Sequence, residues 1–230
     1  MNAKCFAERS IPMCKINELY DLSHTVAAEY LSGFTYPWEA LKGIKELILT
    51  LGQELSKEEF TEIAPQVWVH NTAKVAPSAS IAGPCIIGAG TEVRHCAFIR
   101  GSALVGENCV VGNSTELKNV IIFDNVQVPH FNYVGDSILG YRSHMGAGSI
   151  TSNVKSDKSL VVIKCDPPIE TGIKKVGAML GDFVEVGCNS VLNPGTVVGR
   201  NTSVYPTSCV RGVIAENSIY KKDDTIVPKR

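Results

Sequence analysis

Several things are missing from this sequence, and each absence narrows what the protein can be. There is no basic excess: 22 Lys and Arg stand against 23 Asp and Glu, a net charge of −1. That balance gives no reason to expect a nucleic-acid partner, and no acidic tail is present either. No run approaches the roughly 18 apolar residues that cross a membrane. Met1 to Tyr20 lacks the basic-then-apolar order of a signal peptide. A cytoplasmic protein with no membrane partner is the expectation. Eight Cys are present but none forms a CxxC pair, so they read as reduced thiols rather than as disulfides or a metal cluster.

What is present is a period of six. Val69, Val75, Ile81, Ile87, Val93, Ile99, Val105, Val111 and Leu117 are all aliphatic. Four residues after each stands a side chain that is usually small: Ala73, Ala79, Cys85, Thr91, Ala97, Ala103, Cys109 and Thr115, then Ile121. Six matches neither the helical 3.6 nor the strand period of 2. It matches a hexapeptide solenoid, in which each unit gives one short strand and one turn, and three units close a triangular coil of 18 residues. Six or seven coils are predicted. Cys85 and Cys109 then serve as small apolar side chains.

The first 66 residues differ, and the spacing predicts helices. Leu19, Leu22, Val26 and Tyr30 mark one within Ile16 to Tyr30. A second starts at Tyr36-Pro37-Trp38-Glu39, presents Leu41, Ile44, Ile48 and Leu51, and stops at Gly52. Ser56-Lys57-Glu58-Glu59 reads as a capping box for a third, ending near Ile63. Residues 1–66 are expected to be a helical cap over the open first coil, the alternative being a separate ligand-binding domain. Residues 67–219 form the solenoid. Its inward positions shift phase to Ile122, Val128, Val134, Leu139 and Met145, which places a register slip around Pro129 to Tyr133. Residues 152–179 have no six-residue period and read as an insertion leaving the prism, with a hairpin around Leu160 to Lys164. The repeat resumes at Leu180, Val186, Leu192, Val198, Val204 and Val210, and residues 220–230 form a tail that departs from the prism.

A filled prism has no internal cavity, so a site must lie outside, at the groove between neighbouring prisms. His130 stands beside a proline at the phase break, where a neutral imidazole could accept a proton. Glu116 and Lys118 belong to the adjacent coil, and a carboxylate there would orient the ring. A lone histidine is equally a structural residue. Asn132, Tyr133, His144 and Asn153 add polar groups, or serve only as turn chemistry. Arg100 is either a solvated charge or an anion ligand. The Gly146-Ala147-Gly148 run would admit a ligand close to the backbone, or is an ordinary corner.

The segments GNSTELKN, PHFNYVGDSILG, HMGAGSITSN and VEVGCNSVLNPGTVVG resemble the left-handed β-helix of sugar-phosphate acetyltransferases. The similarity is to the acetyltransferase half of bifunctional N-acetylglucosamine-1-phosphate uridylyltransferase/glucosamine-1-phosphate acetyltransferases and to archaeal sugar-1-phosphate enzymes, over about residues 67–215. The left hand of the coil is implied by this resemblance alone, since crossovers are ordinarily right-handed. The resemblance implies His130 as catalytic base with Glu116 supporting it, and Asn153 as a further catalytic residue. It implies sugar-phosphate contacts at Arg100, Lys118 and Tyr133, with His144 at a position where the family has a sugar-contacting Asn. An acetyl-CoA groove is implied past Ala147 and Cys188, with Lys221 and Lys222 nearby. It further implies a homotrimer that takes acetyl-CoA and an amino sugar or sugar phosphate such as glucosamine-1-phosphate, without a metal. Val154 replaces an aromatic residue that often follows the Asn. Residues 1–66 hold no LxxGxGTRM loop, so no nucleotidyl transfer is expected of this chain, despite its relation to pyrophosphorylase-type enzymes.

Two rivals remain at this point. One is a non-catalytic solenoid that binds a nucleotide sugar or a protein. The other is a zinc hydratase using His95, His130 and His144, although the closely spaced His pair such a site requires is absent.

Overall fold

The computed structural model describes residues 14–221 and 225–229. It is a mainly β structure, a left-handed parallel β-solenoid of triangular section with a helical N-terminal region. The first face stacks Val67–His70, Cys85–Ile87, Ala103–Val105, residues 120–122 and 137–139, Ala178–Leu180, Thr196–Val198 and Val213–Ile214, all parallel. The second stacks Lys74–Val75, Glu92–Val93, Val110–Asn113, Gln127–His130, His144–Met145, Glu185–Val186, Ser203–Val204 and Ser218–Tyr220. The third stacks Ser80–Ile81, Phe98–Ile99, residues 116–117 and 133–134, Ile150–Thr151, Val191–Leu192 and Cys209–Val210.

The six-residue rule is the core. Ile87, Val93, Ile99, Val105, Val111 and Leu117 are buried, as are Ile122, Val128, Val134, Leu139 and Met145 after the phase change. Cys85 and Cys109 are buried beside them, and burial pushes both thiols up, that of Cys109 to about 12. They stay protonated as apolar packing. The register slip is not at Pro129 to Tyr133, where Val128 to Val134 is an ordinary step of six. The shortened steps run from Leu117 to Ile122 and from Val134 to Leu139. There the chain passes from third face to first as one continuous strand, Glu116–Ile122 and then Tyr133–Leu139. Asn119 (φ 54°) and Asp136 (φ 48°) take the left-handed conformation that makes these tight corners. Asn and Asp tolerate it because a short side chain can hydrogen-bond locally.

The N-terminal helices do not cap the first coil. They lie lengthwise along the first face. Gly52 is buried within the helix Ile44–Glu54 rather than ending it, and its missing side chain makes room for the Trp68 ring. Asn119 donates to the Leu41 carbonyl, the Tyr20 hydroxyl to the Ile138 carbonyl, and the Asp182 amide to the Leu19 carbonyl. The cause is on the prism. Ile86, Leu104, Ile121, Ile138, Met179 and Val197, between the inward positions of this face, are apolar and would otherwise face water. The stretch Ile16 to Tyr30 is three short pieces, Ile16–Leu19, Leu22–His24 and Ala28–Ser32, broken where Leu19 and Asp21 turn their backbones to the prism.

The third helix does not form. Ser56 makes a turn, and Phe60–Ala64 is a strand antiparallel to Val67–His70. Covering the exposed edge of the first face outweighs the local capping signal. The tail likewise stays on the prism: Tyr220 is buried, and Ile226–Pro228 folds back against Ser218–Tyr220. In the insertion, Val162–Ile163 pairs with Ile169–Glu170. Val161 and Ile163 are buried, and the hairpin lies back on its own prism beside Gly195 and Gly212 instead of leaving it.

The buried Asp182 carboxylate holds the N-terminal segment. It accepts from the amides of Asp21 (2.7 Å) and Tyr141 (2.9 Å) and from the Arg200 guanidinium (2.8 Å). Asp182→Ala leaves those amides without acceptors and is expected to cost about 3 kcal/mol. Urea denaturation reads the loss, and hydrogen exchange should rise at Asp21 and Tyr141.

Candidate active site

The corner between the second and third faces forms a ridge of backbone rungs. Phe131 donates to the Asn113 carbonyl (2.8 Å), Gly148 to His130 (3.0 Å), Asn189 to Ala147 (2.9 Å) and Thr207 to Cys188 (2.8 Å). His130, Ala147 and Cys188 therefore sit one above another, each step about one strand spacing of 4.8 Å. Each turn is closed by a left-handed residue, among them Ser114, Phe131, Gly148 and Asn189. Asn132 is buried and serves the backbone: its carbonyl accepts from His130 N–H (3.1 Å), and its amide donates to Gly146 O (2.8 Å) and Ser149 O (3.1 Å). This fixes the His130 turn against the Gly146 to Ser149 turn. The His130 ring is exposed and makes no hydrogen bond among the described residues.

The third face carries the polar cluster, with Phe98, Glu116, Tyr133 and Ile150 in one register column. Arg100 Nη1 bonds Glu116 Oε1 at 2.7 Å, and that bond holds the guanidinium pKa above its ordinary value. Lys118 Nζ lies 3.1 Å from both oxygens of Asp136. Asn153 Nδ2 donates to Asp136 Oδ2 (2.5 Å) and to Tyr133 Oη (3.2 Å). Burial raises the Tyr133 phenol pKa, and the Asp136 charge adds to it. The phenol stays protonated at neutral pH and keeps a proton to donate.

The structure redraws several expected contacts. Glu116 makes no hydrogen bond to His130: it belongs to the third face one coil before Tyr133, while His130 ends a second-face strand of the next coil, and its carboxylate goes to Arg100 instead. Both amide protons of Asn153 are spent inward, so it offers the groove an acceptor oxygen rather than a donor. His144 is not with Tyr133 and Asn153. It lies on the second face in register with Gln127 and Glu185, its Nδ1 2.9 Å from Glu185 Oε2. There it lines an open polar cavity of about 430 Å³ with Asn108, Asn125, Gln127 and Arg142. Lys221 follows the last second-face strand, its amide donating to Thr225 O, well below the His130 rung. Lys222 lies outside the described residues. His95 is on the ridge two coils above His130, and among the described residues no three His, Cys, Asp or Glu side chains group as metal ligands.

Sequence reasoning missed Asp136, the acceptor on which Lys118, Asn119 and Asn153 converge. The signal was the five-residue step from Val134 to Leu139 with an acid inside it.

The GMPPB C-terminal domain family matches residues 81–214. A protein named bifunctional protein GlmU from Methanococcus maripaludis is 32% identical over 205 residues, covering 87% of this chain and 50% of that protein. The bifunctional sugar-1-phosphate nucleotidylyltransferase/acetyltransferase of Sulfurisphaera tokodaii is 29% identical over 106 residues, covering 46% of this chain and 26% of its own. The chain thus spans half or less of the length of these curated relatives. Among solved structures, PerB from Caulobacter crescentus, in complex with CoA and GDP-perosamine, is 18% identical with a TM-score of 0.38, covering 80% of this chain and 67% of that one. A match over more than half of the 230 residues places the chain in the GMPPB C-terminal domain family, as a left-handed β-helix hexapeptide-repeat domain resembling the C-terminal domain of GlmU.

Proposed function

We propose that this chain is an acetyl-CoA-dependent N-acetyltransferase acting on an amino sugar, a sugar phosphate such as glucosamine-1-phosphate. The observation that carries the reading is the alignment of the exposed His130 imidazole with Ala147 and Cys188 on one ridge, beside the polar third face. Acetyl-CoA lies along the ridge past Ala147 and Cys188. The sugar lies against Tyr133 and Asn153, with its anionic group toward Arg100 and Lys118. His130 accepts a proton from the amine as nitrogen attacks the thioester carbonyl carbon. The Ala147 amide, which donates to no acceptor among the described residues, meets the oxygen that gains charge. Collapse of the tetrahedral species breaks the carbon–sulfur bond, and the His130 proton passes to the departing thiolate. The amide product keeps the acetyl group.

Assembly as a homotrimer completes the groove. Helices cover the first face, while Phe98 (43% exposed) and Phe131 (60%) stand bare beside the ridge, where a neighbouring prism would pack. No described helix is long and apolar enough to cross a membrane.

One observation favours a non-catalytic solenoid that binds a nucleotide sugar or protein partner: each cation of the cluster already faces a carboxylate. The test is release of free thiol from acetyl-CoA across a panel of amino sugars and their 1-phosphates. Sugar-dependent release, largest with a phosphorylated amino sugar, is expected. No release with any member, together with binding of a nucleotide sugar, would leave the solenoid binder in its place.

A further inference from the structure

Asp136 takes no part in the acetyl-transfer scheme above, yet it is tied to more of the site than any residue in that scheme. Its side chain is 5% exposed, at the second of the two shortened corners. Oδ1 receives Lys118 Nζ (3.1 Å) and Asn119 Nδ2 (2.9 Å); Oδ2 receives Lys118 Nζ (3.1 Å) and Asn153 Nδ2 (2.5 Å). Its backbone carbonyl accepts the Gly177 amide at 2.7 Å. Asn153 is where the insertion departs from the repeat and Gly177 is where the repeat resumes, so one residue holds both ends of the inserted segment. The two ends also meet each other, through Val176 N–H to Asn153 O (3.1 Å) and a bridge between Val154 and Lys175.

We propose that Asp136 is a positioning residue for the sugar site, and this rests on the acetyl-transfer reading. A carboxylate only accepts hydrogen bonds, so it dictates which way a neighbouring amide points. Asn153 must turn its NH2 toward Asp136 and its oxygen toward the groove. The same carboxylate draws the Lys118 ammonium to the prism wall, which sets where a ligand's negative group can meet it. An amide in place of Asp136 would offer Asn153 a donor as well as an acceptor, and the Asn153 side chain would no longer have one preferred orientation. Burial makes the constraint firm, because an unpaired polar atom at this corner has no water to turn to.

The test is Asp136→Asn, a change of almost no volume, read by steady-state kinetics. KM for the amino sugar should rise about tenfold or more, the size expected when a charge-assisted contact is lost. KM for acetyl-CoA should stay within about twofold, since nothing on the ridge bonds Asp136. The exchanged pair D136N/N153D restores a donor opposite an acceptor and again turns an oxygen to the groove, so most of the lost sugar affinity should return. Equal sugar KM in wild type and Asp136→Asn would overturn the proposal. So would a loss that tracks only the folded fraction. A second measurement does not depend on turnover or on the variant folding. In ¹⁵N-asparagine-labelled wild-type protein, the Asn153 side-chain NH2 should show slowed hydrogen exchange, and fast exchange there would refute the inference. If wild type acetylates no amino sugar while that NH2 is protected, the acetyl-transfer reading fails and the positioning geometry stands.

Discussion

His130→Ala is expected to lower kcat for amino-sugar acetylation by about 10²- to 10⁴-fold, the range that a positioned general base supplies. The ring is exposed and makes no hydrogen bond among the described residues, so removing it takes away no structural bond. The backbone at this position is held independently, by His130 N–H to Asn132 Oδ1 and His130 O to the Gly148 amide. Thermal stability, oligomeric state and acetyl-CoA affinity should therefore match wild type. Stopped turnover with unchanged CoA binding, measured by calorimetric titration, is the expected pair of results. Turnover that persists at the wild-type rate removes His130 from the mechanism.

The second large effect concerns packing under that histidine. Gly112 pairs across coils with Pro129: Val111 is in register with Val128 and Asn113 with His130. A Cβ on Gly112 would overlap the Pro129 carbonyl oxygen, carbonyl carbon and Cα. All three are backbone atoms of the neighbouring coil, so no rotamer relieves the clash. Gly112→Ala must separate two coils at the level of the proposed base, and it is expected to cost about 3 kcal/mol or more. For a chain of this size that lowers the melting temperature by roughly 6–12 °C, read by circular dichroism. Activity should fall further than the folded fraction does, because Pro129 and His130 move together. An alanine variant that melts with wild type would show that the coils slide apart at little cost.

What could be read from the residues follows from where each constraint acts. The prism was legible because its inward positions are set by local period, and Ile87 through Leu117 obey it without relief. The side-on helices were not, although Ile86, Leu104, Ile121 and Ile138 break the inward-outward alternation and so call for a cover. Ser56 to Glu59 carries a genuine helix-start signal, but the edge of Val67–His70 needed a partner and claimed Phe60–Ala64. Tyr133 and Asn153 meet through a hydrogen bond from the Asn153 amide to the phenol oxygen. His144 parts from them because a side chain's angular place around a prism depends on register, and His144 is in register with Gln127 and Glu185 on the second face. Asp136 escaped notice since its importance comes from the coils above and below it, seventeen and eighteen residues distant in the chain.

The lengthwise helices also bear on how the rod comes apart. A stack of repeats that touch only their neighbours can peel from either end, one turn at a time. Here Gly52 packs on Trp68, Leu41 on Asn119, Tyr20 on Ile138 and Leu19 on Asp182, so a single splint bridges levels from near one end to near the other. Loosening a terminal turn then disturbs the same splint that steadies the middle. The prism is expected to melt as a unit, its ridge keeping its spacing for as long as the splint is in place.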